Sequence, residues 1–370
     1  MTLSGTSIAY VGSLWSGSTA LHRMQALRDV GAVVLPINTG PDSVRSLERS
    51  LMLRVWKRLA GPVDLAMANG KICEIFARQS QDVLWIDKGL TIEPETLRAV
   101  RTRCPRCIIV GYSPDDMMSR GNQSRRFIAG LPEYDIYFTT KSYGVAELEK
   151  LGARRVHFIG NAFDPSTHRP VAPSEEQRAR LGGVVGFVGQ WEAQRSASIC
   201  NLADAGVPVR VWGQDWNKCR FRSECLRLEN RPLWGDDYAL ALCSFDINLC
   251  FLRKTNRDLQ TTRSMEIPAS GAFMLAERTD EHLELFDEGK EAEFFGSDAE
   301  LIDKAKYYIA HPAQRRLIAE AGRARCLRSG YSNQDRMLEM MGVVNGLRRH
   351  TNTPTALPDG PRAADRRHPN

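Results

Sequence analysis

The stretch Thr261-Thr262-Arg263-Ser264-Met265-Glu266-Ile267-Pro268-Ala269-Ser270-Gly271-Ala272-Phe273-Met274-Leu275 decides how the rest of the chain is read. It opens as a helix, stops at Ser270-Gly271 and continues as a short, wholly apolar strand, Ala272–Leu275. A strand that is apolar at successive positions belongs to a parallel sheet covered on both faces. Glu266, on the helix, can accept two hydrogen bonds from the hydroxyls of a nucleotide ribose. The helix N-terminus at Thr261–Thr262 favours phosphate, and Arg263 adds charge there. A surface glutamate paired with a neighbouring arginine fits these residues equally well.

The same alternation extends in both directions. Strands are expected at Val184–Val188, Val209–Trp212, Ile247–Phe251 and Ala292–Phe295. Helices are expected at Ser196–Ala205, Asp236–Cys243, Glu281–Leu285, Ala299–Ala310 and Pro312–Leu327. Upstream, Ala162–Glu176 interrupts the pattern with three prolines, and Ser174 reads as a helix N-cap. A second alternating series precedes it. Its strands are Ser7–Val11, Val33–Ile37, Val63–Ala68, Val83–Ile86, Cys107–Val110, Asp135–Phe138 and Val156–Ile159. Its helices are Thr19–Asp29, Ser43–Leu59, Lys71–Arg78, Pro94–Arg103 and Tyr143–Leu151. The expectation is an α/β protein of two doubly wound, Rossmann-like domains facing a cleft. The domains run over 1–165 and 177–332, joined by a linker at 166–176. A last helix within 333–350 carries Met337, Met340, Met341, Val344 and Leu347 at helical spacing, which reads as packing. Residues 351–370, with four prolines and few apolar residues, are expected to be disordered.

Composition narrows the function. Of 370 residues, 50 are Lys or Arg and 44 are Asp or Glu, a net charge of +6 that is too small and too mixed to indicate nucleic acid. Apolar residues at 42% and charged residues at 25% are those of a globular chain. No run reaches the roughly 18 consecutive apolar residues of a membrane helix. The N-terminus has no basic residue before its short apolar run and does not read as a secretory signal, so a cytoplasmic location is expected. Nine scattered cysteines read as reduced thiols. Cys104 and Cys107 form a CxxC, but no second ligand pair follows at zinc spacing.

Other candidates lie at strand ends, where such sheets bind ligands. Gly12 and Ser16–Ser18 form a glycine- and hydroxyl-rich turn before a helix. It is either a phosphate contact or simply a tight turn, and it is neither a Walker loop nor a GxGxxG. Gly186-Phe187-Val188-Gly189 opens the second domain in the same way. Gly189 offers close backbone approach, and Arg195 follows on the next helix. Asp87 and the pair Asp115/Asp116 end strands and are candidate general bases. His168 on the linker is another, with a turn residue as the alternative. His22 reads as solvent-facing or packed. Trp212, Trp216 and Trp234 read as core, with stacking on a base or sugar as the alternative. Asp115-Asp116 and Asp236-Asp237 are adjacent acids, not DxD, and no metal is expected.

With these residues in view, the chain resembles the GT-B glycosyltransferases, and within them the CgeB-like (spore maturation protein) group. Arg263, Glu266, Ala269, Gly271 and Phe273 match an R-x-x-E-x-x-A-x-G-A/G-F element. Glu284, Leu285, Phe286, Gly289, Lys290 and Glu291 match an ELF-x-x-G-K-E segment. Tyr307, Tyr308, His311 and Pro312 match a Y-Y-x-x-H-P junction. The first half is similar more loosely, through Gly111–Asp116, Tyr134–Pro170 and Gly186–Arg195.

The resemblance implies glycosyl transfer from a nucleotide-diphosphate sugar, used as co-substrate with no further cofactor and no metal. Glu266 would hold the ribose, and Arg195, Arg263 and Thr262 would face the diphosphate. Asp258 stands where the related E-x7-E pattern has its first Glu, a departure at the position that would meet the donor sugar. The last helix would cross back onto the first domain. The acceptor is left open among glycan, protein and small molecule. Two alternatives stay open, a nucleotide-sugar epimerase on the same scaffold and a non-catalytic nucleotide- or sugar-binding protein.

Overall fold

The computed structural model describes residues 2–40 and 62–351. The helix expected at Ser43–Leu59 and the tail at 352–370 therefore lie outside the described residues. The first sheet contains β1 (Ser7–Gly12), β2 (Val33–Asn38), β3 (Val83–Asp87), β4 (Ile108–Ser113), β5 (Ile136–Thr139) and β6 (Val156–Phe158). All its pairings are parallel, in the order β2-β1-β3-β4-β5-β6. Its helices are α1 (Thr19–Asp29), α2 (Ala68–Arg78), α3 (Pro94–Arg103), α4 (Arg125–Gly130) and α5 (Gly144–Lys150).

The period-two geometry of a strand shows directly in the core. Ile8, Tyr10, Val83 and Trp85 pack on one face of the sheet, whereas Ala9, Val11, Leu84 and Ile86 pack on the other. That is why these strands read as unbroken apolar runs.

The second sheet contains β7 (Gly183–Val188), β8 (Val209–Trp212), β9 (Leu226–Leu228), β10 (Phe245–Cys250), β11 (Met274–Glu277) and β12 (Glu293–Phe295). It is again parallel, in the order β12-β11-β10-β7-β8-β9. Counted from β7, this is the 3-2-1-4-5-6 order of dinucleotide-binding sheets, with its switch point between β7 and β10. Its helices are α6 (Glu175–Leu181), α7 (Ala193–Asp204), α8 (Gly235–Ser244), α9 (Thr262–Ala269), α10 (Asp280–Leu285), α11 (Asp298–Ala310) and α12 (Pro312–Arg328). Ser174 caps α6 through a reciprocal capping box with Gln177. The helix α13 (Asn333–Thr351) returns to the first domain, where Met337, Met340, Met341 and Val344 join the cluster around Tyr10 and Trp85.

Two expectations are corrected. Val63–Ala68 is not a strand. The Asp64 carboxylate accepts from the backbone amides of Ala68 and Asn69 at 2.8 and 2.9 Å, and Met67 adopts φ 52°, so the segment is the turn that starts α2. Conversely, β9 is a strand the apolar pattern does not announce. It is three residues long, on the sheet edge, and none of its residues is buried.

Candidate functional site

The carboxyl ends of both sheets open on one cleft of about 390 Å³ between the domains. The second domain builds its floor. Gly189 closes β7, and its N–H donates to the Trp212 carbonyl at 2.8 Å, while its carbonyl accepts from the Trp216 indole at 2.8 Å. A Cβ on Gly213 would lie 1.9 Å from the Gly189 carbonyl oxygen, so the two strand-end loops approach this closely only because residue 213 is glycine. Arg263, at the start of α9, donates from Nε to the Val188 carbonyl at 2.6 Å, tying the helix to the end of β7.

Glu266 lies one turn further into α9 and is buried. Tyr238 on α8 donates to its Oε2 at 2.5 Å, and Oε1 lies 3.8 Å from His168 Nε2. Burial, followed by the Glu266 charge, pushes the Tyr238 phenol well above its ordinary pKa, so it stays a donor to the carboxylate.

Arg195 is buried at the start of α7. Its guanidinium donates to the Gln190 carbonyl at 3.1 Å and meets Glu192 at 3.3 Å, and its Nε has no partner among the described residues. Burial, offset in part by Glu192 and reinforced by Arg263 and Arg253, lowers its pKa to about 10. It still carries its charge at neutral pH. Gly189, Arg195, Asp258, Thr262, Arg263 and Glu266 thus all line one cleft. Gly12 does not. It is a packing glycine, whose Cβ would sit 3.0 Å from Tyr10 Cε1 and 3.4 Å from Asp87 Cβ.

The three candidate bases are placed differently. Asp87 takes Arg23 Nη2 at 2.7 Å, Arg23 Nε at 2.8 Å and the Tyr10 hydroxyl at 2.9 Å, and it lines not the cleft but an adjoining cavity of about 890 Å³ built mostly by the first domain. Asp116 does not line the cleft either. It accepts a bidentate pair of bonds from Arg257 of the second domain, at 2.7 and 2.8 Å. His168 is buried on the cleft wall, but its Nδ1 accepts from the Asp164 amide at 2.9 Å. The ring proton therefore sits on Nε2, which faces Glu266 as a donor. None of the three offers a free proton acceptor to the cleft.

Sequence reasoning missed several residues the structure brings here. Lys141, just past β5, forms an ion pair with Asp258 at 2.5 Å across the domains, with both side chains 4% exposed. Tyr238 was hidden because a hydroxyl on a helix gives no motif. His22 on α1 lines the cleft beside His168, at 6.0 Å between ring centroids, and burial lowers its pKa. The strand-end rule that selected Asp87 and Asp115 would have selected Lys141 had it been applied to β5. Trp212 and Trp216 are fully buried, as core reading expects, but Trp234 is 52% exposed. Cys104 and Cys107 are free thiols, and burial raises Cys107 to about 12.

Residues 194–342 match the family model described as Glycosyl transferase-like. No curated protein matches by sequence. Sucrose-phosphate synthase from Thermosynechococcus elongatus superposes with a TM-score of 0.64 at 12% identity, covering 93% of this chain and 100% of that one. HepE from Anabaena, solved in complex with UDP and glucose, gives 0.61 at 12% identity over 92% and 100%. A glycosyltransferase from Rickettsia africae gives 0.64 at 10% identity over 94% and 99%. Residues 194–342 are thus similar in sequence to glycosyl transferases, and nearly the whole chain shares the two-domain fold of these solved structures.

Proposed function

We propose that the chain transfers a hexose from a nucleoside-diphosphate sugar to an acceptor hydroxyl, without a metal ion, in the cytoplasm. The observation that carries this is the buried Glu266. One oxygen is fixed by Tyr238 and the other is turned toward the cleft, on a helix whose first residues, Thr262 and Arg263, also line that cleft. A carboxylate held this way meets the vicinal hydroxyls of a ribose. Arg263 and Arg195 lie along the same wall, where the negative charge of a leaving diphosphate develops, and pre-placed cations there lower the barrier. They are the reason to expect chemistry that survives chelation. The complex of HepE with UDP and glucose supports a nucleotide-sugar donor. Among the described residues no helix is long and apolar enough to cross a membrane. Membership of the CgeB-like group rests on the motifs around Arg263, Glu284 and Tyr307.

The test is a calorimetric titration with UDP, GDP, dTDP and ADP on wild type and on Glu266→Ala. One nucleotide should bind selectively, and the variant should weaken it at least tenfold, about 1.4 kcal/mol. A folded Glu266→Ala with unchanged affinity would remove the donor site from this cleft.

A further inference from the structure

Trp234 is out of place for a tryptophan. It caps the start of α8 and is 52% exposed, whereas Trp212 and Trp216 are fully buried. Its ring meets Trp15 of the first domain edge to face, 4.8 Å between centroids at 89°. Gly17, at φ 91°, packs beneath both rings, and a Cβ there would lie 3.4 Å from Trp15 and 3.6 Å from Trp234. Trp234 and Gly17 line both the donor cleft and the first-domain cavity, while Trp15 lines only the latter. One helical turn further along α8 is Tyr238, the partner of Glu266. The aromatic pair therefore stands where the two cavities meet, one turn beyond the residues assigned to the ribose.

The walls of the first-domain cavity have a second property. Their charges sum to zero, with Arg23, Lys88 and Arg120 standing against Asp64, Asp87 and Asp115, and four of the six form two ion pairs. Asp87 pairs with Arg23, and Lys88 pairs with Asp115 at 2.5 Å. Asp64 accepts from the Ala68 and Asn69 amides and from the Asn69 side chain at 2.7 to 2.9 Å. A cavity whose charges cancel offers donors and acceptors in balance and little net field. An exposed indole offers a flat apolar face. A pyranose has this complement, an apolar face of C–H groups and a rim of hydroxyls that both donate and accept.

We propose that Trp15 and Trp234 form a platform for the acceptor at this junction, and that the acceptor is a neutral saccharide. The proposal rests on the donor reading above. In the transfer, the acceptor hydroxyl oxygen bonds to the anomeric carbon as that carbon's bond to the diphosphate oxygen breaks. The electron pair leaves with the nucleoside diphosphate, and the hydroxyl proton is released to solvent.

The test uses the full chain, saturated with whichever nucleotide the calorimetry selects. It is titrated with an array of neutral mono- and oligosaccharides, with glucose 6-phosphate and a serine-rich peptide as counter-probes, and tryptophan fluorescence is the readout. At least one neutral saccharide should perturb the fluorescence and serve as acceptor. Trp15→Ala and Trp234→Phe should each raise its KM at least tenfold, with kcat changed much less and nucleotide Kd within about twofold. Trp234→Phe keeps an aromatic ring, so loss of fold does not mimic the effect. Binding of the phosphorylated sugar or the peptide in place of every neutral saccharide would overturn the proposal, as would no saccharide binding or an acceptor KM indifferent to both variants. The nucleotide titration is scored separately. If Glu266→Ala leaves it unchanged, the donor reading has failed; if only the saccharide arm fails, the platform has failed alone.

Discussion

The two walls of the cleft are built from the same elements, parallel strand ends and helix starts, but they treat charge in opposite ways. On the first-domain side, Asp87 is matched to Arg23 and Asp115 to Lys88. On the second-domain side, Arg263 leans on a backbone carbonyl, and Arg195 shares the single carboxylate of Glu192 with Arg253. Arg263 and Arg253 each add to the depression of Arg195 that burial causes, against the opposite pull of Glu192. A wall that keeps unneutralised cations in a half-enclosed cleft gains when an anion arrives, whereas a wall of matched pairs does not. One architecture thus gives a wall with surplus cations on one side and a polar wall of cancelling charge on the other.

The largest effect that can break this comparison is at Asp87. Its pair with Arg23 is 6% and 5% exposed, so Asp87→Ala leaves a buried guanidinium with no carboxylate. Loss of one member of a buried pair costs about 3–5 kcal/mol. Urea unfolding should show a loss of this size, and the double replacement Arg23→Met with Asp87→Leu should recover much of it. A loss below about 1 kcal/mol would mean that Asp87 is not held by its pairing, and would return it to the list of bases.

Lys141 and Asp258 sharpen the comparison, because this pair joins the two walls. Asn256 also donates to the same Asp258 oxygen at 2.7 Å and the Arg253 amide to the other at 3.4 Å, so Lys141→Met leaves the carboxylate two neutral partners. A double-mutant cycle with Asp258→Asn should return a coupling of about 1–3 kcal/mol in unfolding free energy. A coupling near zero would show that the walls are held by other contacts.

Much of the fold was legible because helices on both faces make the strands apolar at successive positions, and because Ser174 and the Ser270-Gly271 stop are local signals. What failed was equally local. Val63–Ala68 is a short apolar run that a single side chain, Asp64, converts into a helix start, and β9 is too short and too exposed to carry a pattern. The second-domain wall of the cleft was readable because Glu266, Arg263 and Thr262 lie within five residues on one helix, so sequence proximity and spatial proximity coincide. The candidate bases were not, because whether a carboxylate is free depends on partners far along the chain. Asp87 is 64 residues from Arg23, and Asp116 is 141 from Arg257. No motif records such a pairing.

Asp116 gives the smallest effect, and the one that pH resolves. Burial would raise its pKa, but the bonds from Arg257 and from the Met118 amide outweigh this and hold it below the ordinary 3.8. A carboxylate depressed in the folded state adds stability that is complete above its unfolded pKa and is lost as pH falls through the folded one. The Asp116–Arg257 latch should therefore act at constant strength from neutrality to about pH 4.5 and weaken below pH 4. Arg257 is 44% exposed and shared with Glu147, so the contribution should be about 0.5–1 kcal/mol and should shrink with added salt. Urea midpoints measured between pH 3 and 7 should show wild type above Asp116→Asn at neutrality and the two curves converging toward pH 3. Curves that stay parallel to pH 3 would mean that Asp116 does not titrate with the latch. In that case the two domains are joined by the buried Lys141–Asp258 pair and the apolar return of α13.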